Sequence, residues 1–287
     1  MRKGWKMATG YRYRGVFVVA VSLVVLGCLG LSVRSAEAVP LTFTIADNIS
    51  TATIDATGGA GMSDWNVEGR HHMEQQWFWY RVGAAGPEAN ISDLPLTKWV
   101  ISDTDDSGSN ETLFLRYAVA NFKIELTLLI SGGTPGSGVS DISESIKIVN
   151  LSAQPLDFHF FQYCNLNLMG TAMDDSVVIS NGNTATQTDG PATVSETVDV
   201  PRPSHYEAGI YSATLDSLNN DSATTLSDTD GSIIGPDDLT WAFQWDFTLA
   251  KGGSYLISKN KHVVPEPATM ALLALGGLAM LKRKRKS

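Results

Sequence analysis

The feature that most constrains the fold is a regular alternation of apolar and polar residues along much of the chain. In Phe122–Ile130 every second residue is apolar, and Lys123 and Glu125 have the opposite parity. Thr112–Ala120 and Thr240–Leu249 repeat the pattern. A repeat of about two residues is that of a strand with one buried face, whereas an amphipathic helix repeats every ~3.6 residues. The pattern therefore predicts strands that pack one face into a core.

Turn-forming residues separate these runs, and helical patterns do not alternate with them. Gly132–Gly138 is one such break, and Ser212–Asp238 is rich in Ser, Thr, Asn and Asp, which predicts a long surface loop. Many short strands without βαβ alternation indicate an all-β fold. We predict a single antiparallel β-sandwich over residues 39–264. A jelly roll describes the pattern equally well, because strand order cannot be derived from it.

The N-terminus has the parts of a secretion signal. A basic region precedes a long hydrophobic run, and the small residues Ala36 and Ala38 follow it. This order predicts a signal peptide over residues 1–38, helical in its apolar part, which signal peptidase cuts to leave Val39 as the first mature residue. An uncleaved membrane anchor is the alternative.

Cleavage at that position would remove Cys28, and Cys164 would be the one remaining cysteine. No intramolecular disulfide could then form. Cys164 lies in an apolar strand pattern and is expected to be a small buried hydrophobic residue. A lipoprotein signal ending at Cys28 is a weaker interpretation, because apolar residues continue beyond it.

The predicted mature body is strongly acidic. Between Val39 and Val264 there are ten basic and 28 acidic residues, a formal net charge of −18. Such a surface repels nucleic acid and anionic lipid, so we expect no nucleic-acid partner. It attracts divalent cations, although solubility outside the cell is the simpler explanation for the charge.

Two aromatic strands contain the candidate ligand-binding residues. Trp77 and Trp79 share one face of their strand, and in Thr240–Leu249 the residues Gln244 and Asp246 lie opposite the aromatic face. Core packing is the favoured interpretation, because a sandwich core requires this alternation. The sharper hypothesis is a sugar-binding platform, in which indole faces pack against sugar rings and Gln244 or Asp246 bind hydroxyl groups.

Two acidic loops contain candidate calcium ligands. In Leu226–Asp237, three aspartates take positions 3, 5 and 12 of a twelve-residue calcium loop: Asp228, Asp230 and Asp237. Leu226 cannot supply the first ligand. The second loop contains Asp103, Asp105, Asp106, Asn110 and Glu111. A solvated turn is the alternative for both loops, because Asp, Asn, Ser and Gly favour turns without metal. Calcium is therefore a hypothesis, and no cofactor is certain.

The sequence contains no recognisable catalytic set. His71 and His72 are adjacent, so on a strand they point to opposite faces and do not easily share one ion. Neither a zinc-ligand spacing nor a Gly-x-Ser-x-Gly nucleophile motif occurs. Paired carboxylates for glycoside hydrolysis depend on the fold and cannot be recognised in sequence. We therefore expect a non-enzymatic protein.

The C-terminus combines three segments in a fixed order. Pro265, Glu266 and Pro267 precede the apolar segment Ala268–Leu281, and five consecutive basic residues follow. As a transmembrane helix the apolar segment would be about 21 Å long at ~1.5 Å per residue, which is shorter than a ~30 Å hydrocarbon core. Long cationic side chains that reach the headgroups partly relieve this mismatch. The basic end should therefore stay on the cytoplasmic side.

This end, residues 265–287, resembles the PEP-CTERM sorting signal of Gram-negative bacteria. The resemblance implies processing by an exosortase, a membrane protease that would cut near the motif, after transient anchoring in the inner membrane. It also implies a bacterium that makes exopolysaccharide, biofilm or floc. The body is similar to the β-rich domains of other PEP-CTERM proteins at Gln75–Gly83, Asp157–Tyr163 and Trp241–Asp246. Such domains have no established activity, so the resemblance adds no catalytic residues.

These patterns together predict an exported protein of the cell envelope or extracellular matrix. We expect it to be structural or polysaccharide-associated, with exosortase, signal peptidase and extracellular polysaccharide as partners. The alternative is a secreted carbohydrate-active enzyme, a lyase or hydrolase, on a β-sandwich.

Overall fold

The computed structural model describes residues 40–229, 233–234 and 237–265, which form two large β-sheets and one short helix, α1 (Ala213–Leu218). The strands in chain order are β1 Thr42–Asp47, β2 Ser50–Asp55, β3 Gly61–Val67, β4 Arg70–His71, β5 Gln75–Val82, β6 Ala89–Asn90, β7 Leu96–Ser102, β8 Thr112–Ala118, β9 Phe122–Gly132, β10 Ser140–Asn150, β11 Leu156–Asn165, β12 Ser176–Ser180, β13 Thr184–Asp189, β14 Ala192–Val200, β15 His205–Ile210, β16 Ile233–Ile234, β17 Leu239–Leu249 and β18 Ser254–Pro265.

Each sheet contains nine strands. Sheet I has the order β1-β2-β3-β5-β11-β17-β15, with β4 paired to β3 and β6 to β5. Sheet II has the order β16-β12-β13-β14-β18-β10-β9-β8-β7. The pairings are antiparallel except for a short parallel contact between β3 and β5. The predictions of an all-β fold and of antiparallel sheets are confirmed.

The two sheets pack face to face through the alternating apolar residues. Ile124, Leu126 and Leu128 of β9 are fully buried, and so are Phe158 and Phe160 of β11. The Phe122 and Phe158 rings meet edge to face with centroids 5.3 Å apart, which joins the two sheets directly. Each large apolar side chain buried in this way contributes about 1.5–3 kcal/mol to folding.

Gly61 allows β3 and β5 to approach closely where they run in parallel. Its φ of +68° lies in the left-handed region, and a Cβ atom here would be 2.4 Å from the Trp77 ring. Only glycine satisfies both conditions without strain.

The described part of the segment predicted as a surface loop, Ser212–Asp238, packs α1 against β15 and β17 of sheet I. It contains α1, and its scattered apolar residues Leu218 and Leu226 are buried. Low apolar content favours a loop in sequence, but a few well-placed leucines are enough to attach the segment to the outer face of a sheet.

The sequence predicts a last strand over Tyr255–Ser258, whereas the observed strand β18 continues to Pro265. Lys259 and Lys261 occupy inward-facing positions of this strand and are completely buried. Lysine is almost never fully buried unless it is paired, so the sequence pattern ended the strand too early.

Four charged side chains on adjacent strands of sheet II form what we call the core charge network. Its members are Glu144 of β10, Glu196 of β14, and Lys259 and Lys261 of β18. Lys261 Nζ lies 2.6 Å from a carboxylate oxygen of each glutamate. Lys259 contacts Glu144 directly and lies 3.4 Å from Glu196. Two positive and two negative charges make the network formally neutral.

Two buried amides of sheet I add hydrogen bonds to this network. Gln76 Oε1 accepts a hydrogen bond from Lys261 Nζ at 2.5 Å, and Gln162 Nε2 donates to Glu196 at 3.1 Å. Burial alone would raise the pKa of Glu144, but the ammonium groups of the two lysines outweigh it and hold the pKa below its ordinary value.

Several predictions concern residues outside the described ranges. The signal-peptide positions Ala36, Ala38 and Val39 are among them, as is the apolar segment Ala268–Leu281, so the signal and tail helices remain predictions. Within residues 40–229, 233–234 and 237–265, no helix is long and apolar enough to cross a membrane.

Candidate functional site

The four residues predicted to bind a ligand lie on one face of sheet I. Phe161 of β11 pairs with Trp79 of β5 on one side and with Gln244 of β17 on the other. Trp77 is two residues from Trp79 on β5, and Asp246 is two residues from Gln244 on β17, so each pair shares one face of its strand. The fold therefore brings the candidates onto the outer face of three adjacent strands, turned away from sheet II.

Other segments of the chain cover the two tryptophans on this face. Trp77 Nε1 donates to Ser92 Oγ at 2.8 Å, and Trp79 Nε1 donates to Asn219 Oδ1 at 3.1 Å. The exposed fractions of the tryptophans are only 1% and 2%. Neither indole presents a flat face to solvent, which favours the core-packing interpretation over the sugar-binding platform.

A buried ion pair fastens the two covering segments together. Arg81 of β5 forms a salt bridge with Glu88, and its guanidinium also donates to the carbonyl of Thr224 at 3.2 Å. Glu88 in turn accepts the backbone N–H of Thr224 at 3.0 Å. Removal of one partner would leave an uncompensated buried charge, so the cover should be firmly attached.

Beyond the cover, a half-exposed group of alternating carboxylates and imidazoles extends across β11, β17 and β15. We call it the histidine–aspartate cluster, and its members are Asp157, His159, Asp246, His205 and Asp228. His159 Nδ1 lies 2.6 Å from Asp246, and His205 Nδ1 lies 2.8 Å from Asp228. The second nitrogen of His205 is 3.5 Å from Asp246.

This arrangement leaves little freedom for proton transfer to a ligand. A general base needs one nitrogen within reach of the substrate, while a carboxylate commonly orients the other. Both nitrogens of His205 face carboxylates. His159 Nε2 is enclosed, without a hydrogen-bond partner among the described residues. Gln244 Nε2 donates to both oxygens of Asp246, at 2.9 and 3.0 Å, which further immobilises the shared carboxylate.

The predicted calcium loop is only partly described. Asp228 accepts hydrogen bonds from the His205 ring and from the backbone N–H of Tyr206 at 3.3 Å. Asp237 accepts the N–H of Asp238 at 3.1 Å, and Asp230 lies outside the described residues. Calcium binding by this loop stays a prediction.

Two other groups of acidic side chains converge in the structure. One is the second predicted loop, in which Asp103, Asp105 and Glu111 each place an oxygen within 4.8 Å of the others. The other group, which sequence reasoning missed, is Asp174, Asp175 and Asp189. The only sequence signal was the pair of adjacent aspartates before β12, because the third member comes from the end of β13.

A further feature missed by sequence reasoning is an exposed apolar strip on β7, the edge strand of sheet II. We call Trp99, Val100 and Ile101 the apolar rim, and their exposed fractions are 50%, 41% and 37%. In the described part of the chain, Trp99 is the one tryptophan that is exposed. A run that is apolar on both faces usually indicates a buried central strand. The sequence of β7 therefore does not indicate that this strand lies at the edge of its sheet.

Two cations lie beside the apolar rim. The Lys98 ammonium and the Arg116 guanidinium are 5.7 and 5.6 Å from the centre of the Phe114 ring, on the neighbouring strand β8. These distances allow cation–π attraction. Lys98 pairs with Arg116 and Val100 with Phe114, whereas Trp99 pairs with the buried Leu115, so the two cations lie on the opposite face of β7 from the Trp99 indole. Arg116 is also paired with Glu125, at 2.8 Å.

The first residue of the predicted sorting motif belongs to the folded body. Pro265 is the last residue of β18 and pairs with Ala192 of β14, while Glu266 and Pro267 lie outside the described residues. Residues 263–286 match the PEP-CTERM protein-sorting motif. This match confirms the resemblance found at the C-terminus, and the motif implies an exported protein that exosortase processes. No curated protein matches the chain.

Solved structures share the fold at low sequence identity. A bacterial glucoamylase complexed with acarbose is 10% identical, with a TM-score of 0.51, over 85% of this chain and 36% of the glucoamylase. The chain thus corresponds to about a third of that enzyme. The Slr1438 protein from Synechocystis sp. PCC 6803 is 11% identical, with a TM-score of 0.51, over 80% of this chain and 97% of that protein. Both likenesses concern the fold alone.

Proposed function

We propose that this exported protein is a non-enzymatic component of the cell envelope or extracellular matrix that associates with polysaccharide. The observation that carries the proposal is the apolar rim, where Trp99 is half exposed at an open sheet edge. Exposed apolar patches on soluble proteins mark interaction sites. The sorting motif supports a location in the cell envelope or outside the cell.

The rim offers the kinds of contact that a sugar chain uses. The flat indole of Trp99 can pack against the C–H face of a sugar ring. As an edge strand, β7 pairs with β8 on one side only, so its other side presents backbone N–H and C=O groups to sugar hydroxyls. Lys98, on the other face of β7, favours a polymer that carries some acidic groups, whereas Arg116 is already paired with Glu125.

The closed geometry of the outer face of sheet I supports a binding role over catalysis. The cover buries Trp77 and Trp79, His159 Nε2 is enclosed, and both nitrogens of His205 face carboxylates. This part of the molecule is internally bonded, whereas the rim is open to solvent.

Electrophoresis of the purified exported protein through gels that contain exopolysaccharide from the producing bacterium tests the proposal. We expect the wild type to be retarded and Trp99→Ala to lose about tenfold in affinity, equivalent to ~1.4 kcal/mol. Leu256→Ala is the matched control, because Leu256 is also exposed, at 53%, but lies on another strand. Equal retardation of both variants would contradict binding at the rim.

Sedimentation without polysaccharide should accompany this experiment. An edge strand can also pair with a strand of another chain. Self-association that Trp99→Ala abolishes, with no retardation by polysaccharide, would assign the rim to protein contacts instead.

The alternative, a carbohydrate-active enzyme, is favoured by one observation, the contact between His159 and Asp246 in the half-exposed cluster. Such a pair is a common acid–base device. We expect purified protein to leave the exopolysaccharide at its original length, measured by size-exclusion chromatography. Shortening that His159→Ala abolishes and Trp99→Ala leaves intact would establish the enzyme.

A further inference from the structure

Three carboxylates converge at the end of the sandwich where β12 begins and β13 ends. Asp174 and Asp175 immediately precede β12, and Asp189 is the last residue of β13. One oxygen from each lies within 4.8 Å of the others. Oxygens that share a calcium ion at ~2.3–2.6 Å are at most about 5 Å apart, so the three already have ligand spacing. We call this group the acidic end.

Hydrogen bonds orient the two buried carboxylates through one oxygen each. Gln187 Nε2 donates to Asp175 Oδ2 at 2.6 Å, and Thr171 Oγ1 donates to Asp189 Oδ2 at 2.7 Å. The same Gln187 amide also donates to the carbonyl of Leu166 at 2.8 Å, which anchors it to the chain. Partners of this kind are what orient the ligands of protein metal sites.

Two buried oxygens at the acidic end have no donor. Asp175 is 1% exposed, and its Oδ1 has no hydrogen-bond partner within the described residues. Gln187 is equally buried, and its Oε1 is also without a partner. A buried oxygen without a donor is unfavourable, and carboxylate and amide oxygens are the ligands that hard divalent cations prefer. This observation is independent of the clustering of the carboxylates.

The negative charge of the acidic end is not compensated by the part of the chain that the structure describes. None of the three aspartates forms a salt bridge there with Lys, Arg or His. A buried carboxylate that has no cation nearby is costly, and Asp175 is 1% exposed.

We propose that Asp174, Asp175 and Asp189 bind a divalent cation of the calcium type. Asp175 contributes Oδ1, the amide oxygen of Gln187 lies beside it, and water completes the shell on the side of the exposed Asp174. Magnesium fits less well, because it requires near-octahedral geometry and releases its water reluctantly. With three carboxylates and an open side, we expect the affinity of extracellular calcium modules, with a Kd on the order of 10⁻⁴–10⁻³ M.

Calcium titration of the EDTA-treated exported protein tests this site without any polysaccharide. By isothermal titration calorimetry we expect one ion per chain to bind at the acidic end, and the thermal midpoint to rise with calcium because a ligand that binds only the folded state stabilises it. Asp175→Asn should weaken binding at least tenfold and remove most of the calcium-dependent rise. Asp174→Asn removes an exposed ligand and should weaken binding similarly, so it serves where the buried variant does not fold.

Asp105→Asn is the matched control, because it also removes one carboxylate from a group of three. There, however, Asp103 and Asp105 accept the loop's own backbone N–H groups of Ser107 and Gly108. We expect this variant to bind calcium like the wild type. Absence of calcium binding at 100 times the expected Kd would overturn the proposal, as would normal binding by both Asp174→Asn and Asp175→Asn.

Discussion

The core charge network and the acidic end are both buried polar groups in the same sandwich, yet they differ in charge balance. In the network two lysines meet two glutamates, and Gln76 and Gln162 from the opposite sheet add hydrogen bonds. At the acidic end the carboxylates meet each other, and none of them has a salt-bridge partner among the described residues. Burial of charge is tolerable only with compensation. The first group is compensated within the chain, and the second requires a partner from outside.

The largest expected effect comes from breaking the balance of the network. Lys261→Met leaves Glu144 and Glu196 with one lysine between them, and we expect a loss of about 3–5 kcal/mol in the free energy of unfolding. Urea denaturation of the folded protein measures it. The double variant Lys261→Met/Glu144→Gln restores neutrality and should lose less than the sum of the two single variants. Additive losses would show that the charges do not act as one network.

Acid provides the second way to break the network. The pKa of Glu144 lies below its ordinary value of 4.5 in the folded protein. Its contribution to stability is therefore present above pH 4.5 and is lost as the pH falls through the lower folded value. We expect the difference in unfolding free energy between wild type and Glu144→Gln to be largest near pH 7 and to shrink below pH 4.5. A difference that stays constant down to pH 3 would contradict this account.

The smallest expected effect comes from the acidic end, and it is a gain in the free energy of unfolding instead of a loss. In EDTA, Asp175→Asn removes a buried negative charge that lies among like charges. We therefore expect the free energy of unfolding to be about 1 kcal/mol higher in this variant than in the wild type. Urea denaturation again measures the change. With calcium in excess, this difference in stability should disappear, because only the wild type keeps all three carboxylates of the calcium site. Destabilisation by 2 kcal/mol or more in EDTA would mean that the chain itself compensates Asp175.

The strands with strict alternation were predicted well from the sequence. The predicted strands Thr112–Ala120, Phe122–Ile130 and Thr240–Leu249 differ from the observed strands by one or two residues at an end. Their pattern reports burial of one face, which is a local property. The strand Gly61–Val67 was missed because its polar residues obscure the alternation.

The candidate sites were predicted less well, for a physical reason. Sequence parity placed Trp77, Trp79, Gln244 and Asp246 on faces of their strands, but the cover that buries the tryptophans comes from residues more than ten positions away. Trp99 has an apolar neighbourhood in sequence and is nevertheless exposed, because β7 happens to be the last strand of its sheet.

The sequence by itself determined the sorting motif at its C-terminus and the all-β character of its body, since both depend on the order of neighbouring residues. Only the tertiary structure decided which charges meet. Glu144 and Lys261 are 117 positions apart, and Asp175 precedes β12 while Asp189 ends β13, yet each pair comes together in the fold. Alternation specifies the face on which a side chain lies. Strand order, which follows from pairing over long distances, specifies its neighbours and therefore whether a buried charge is compensated.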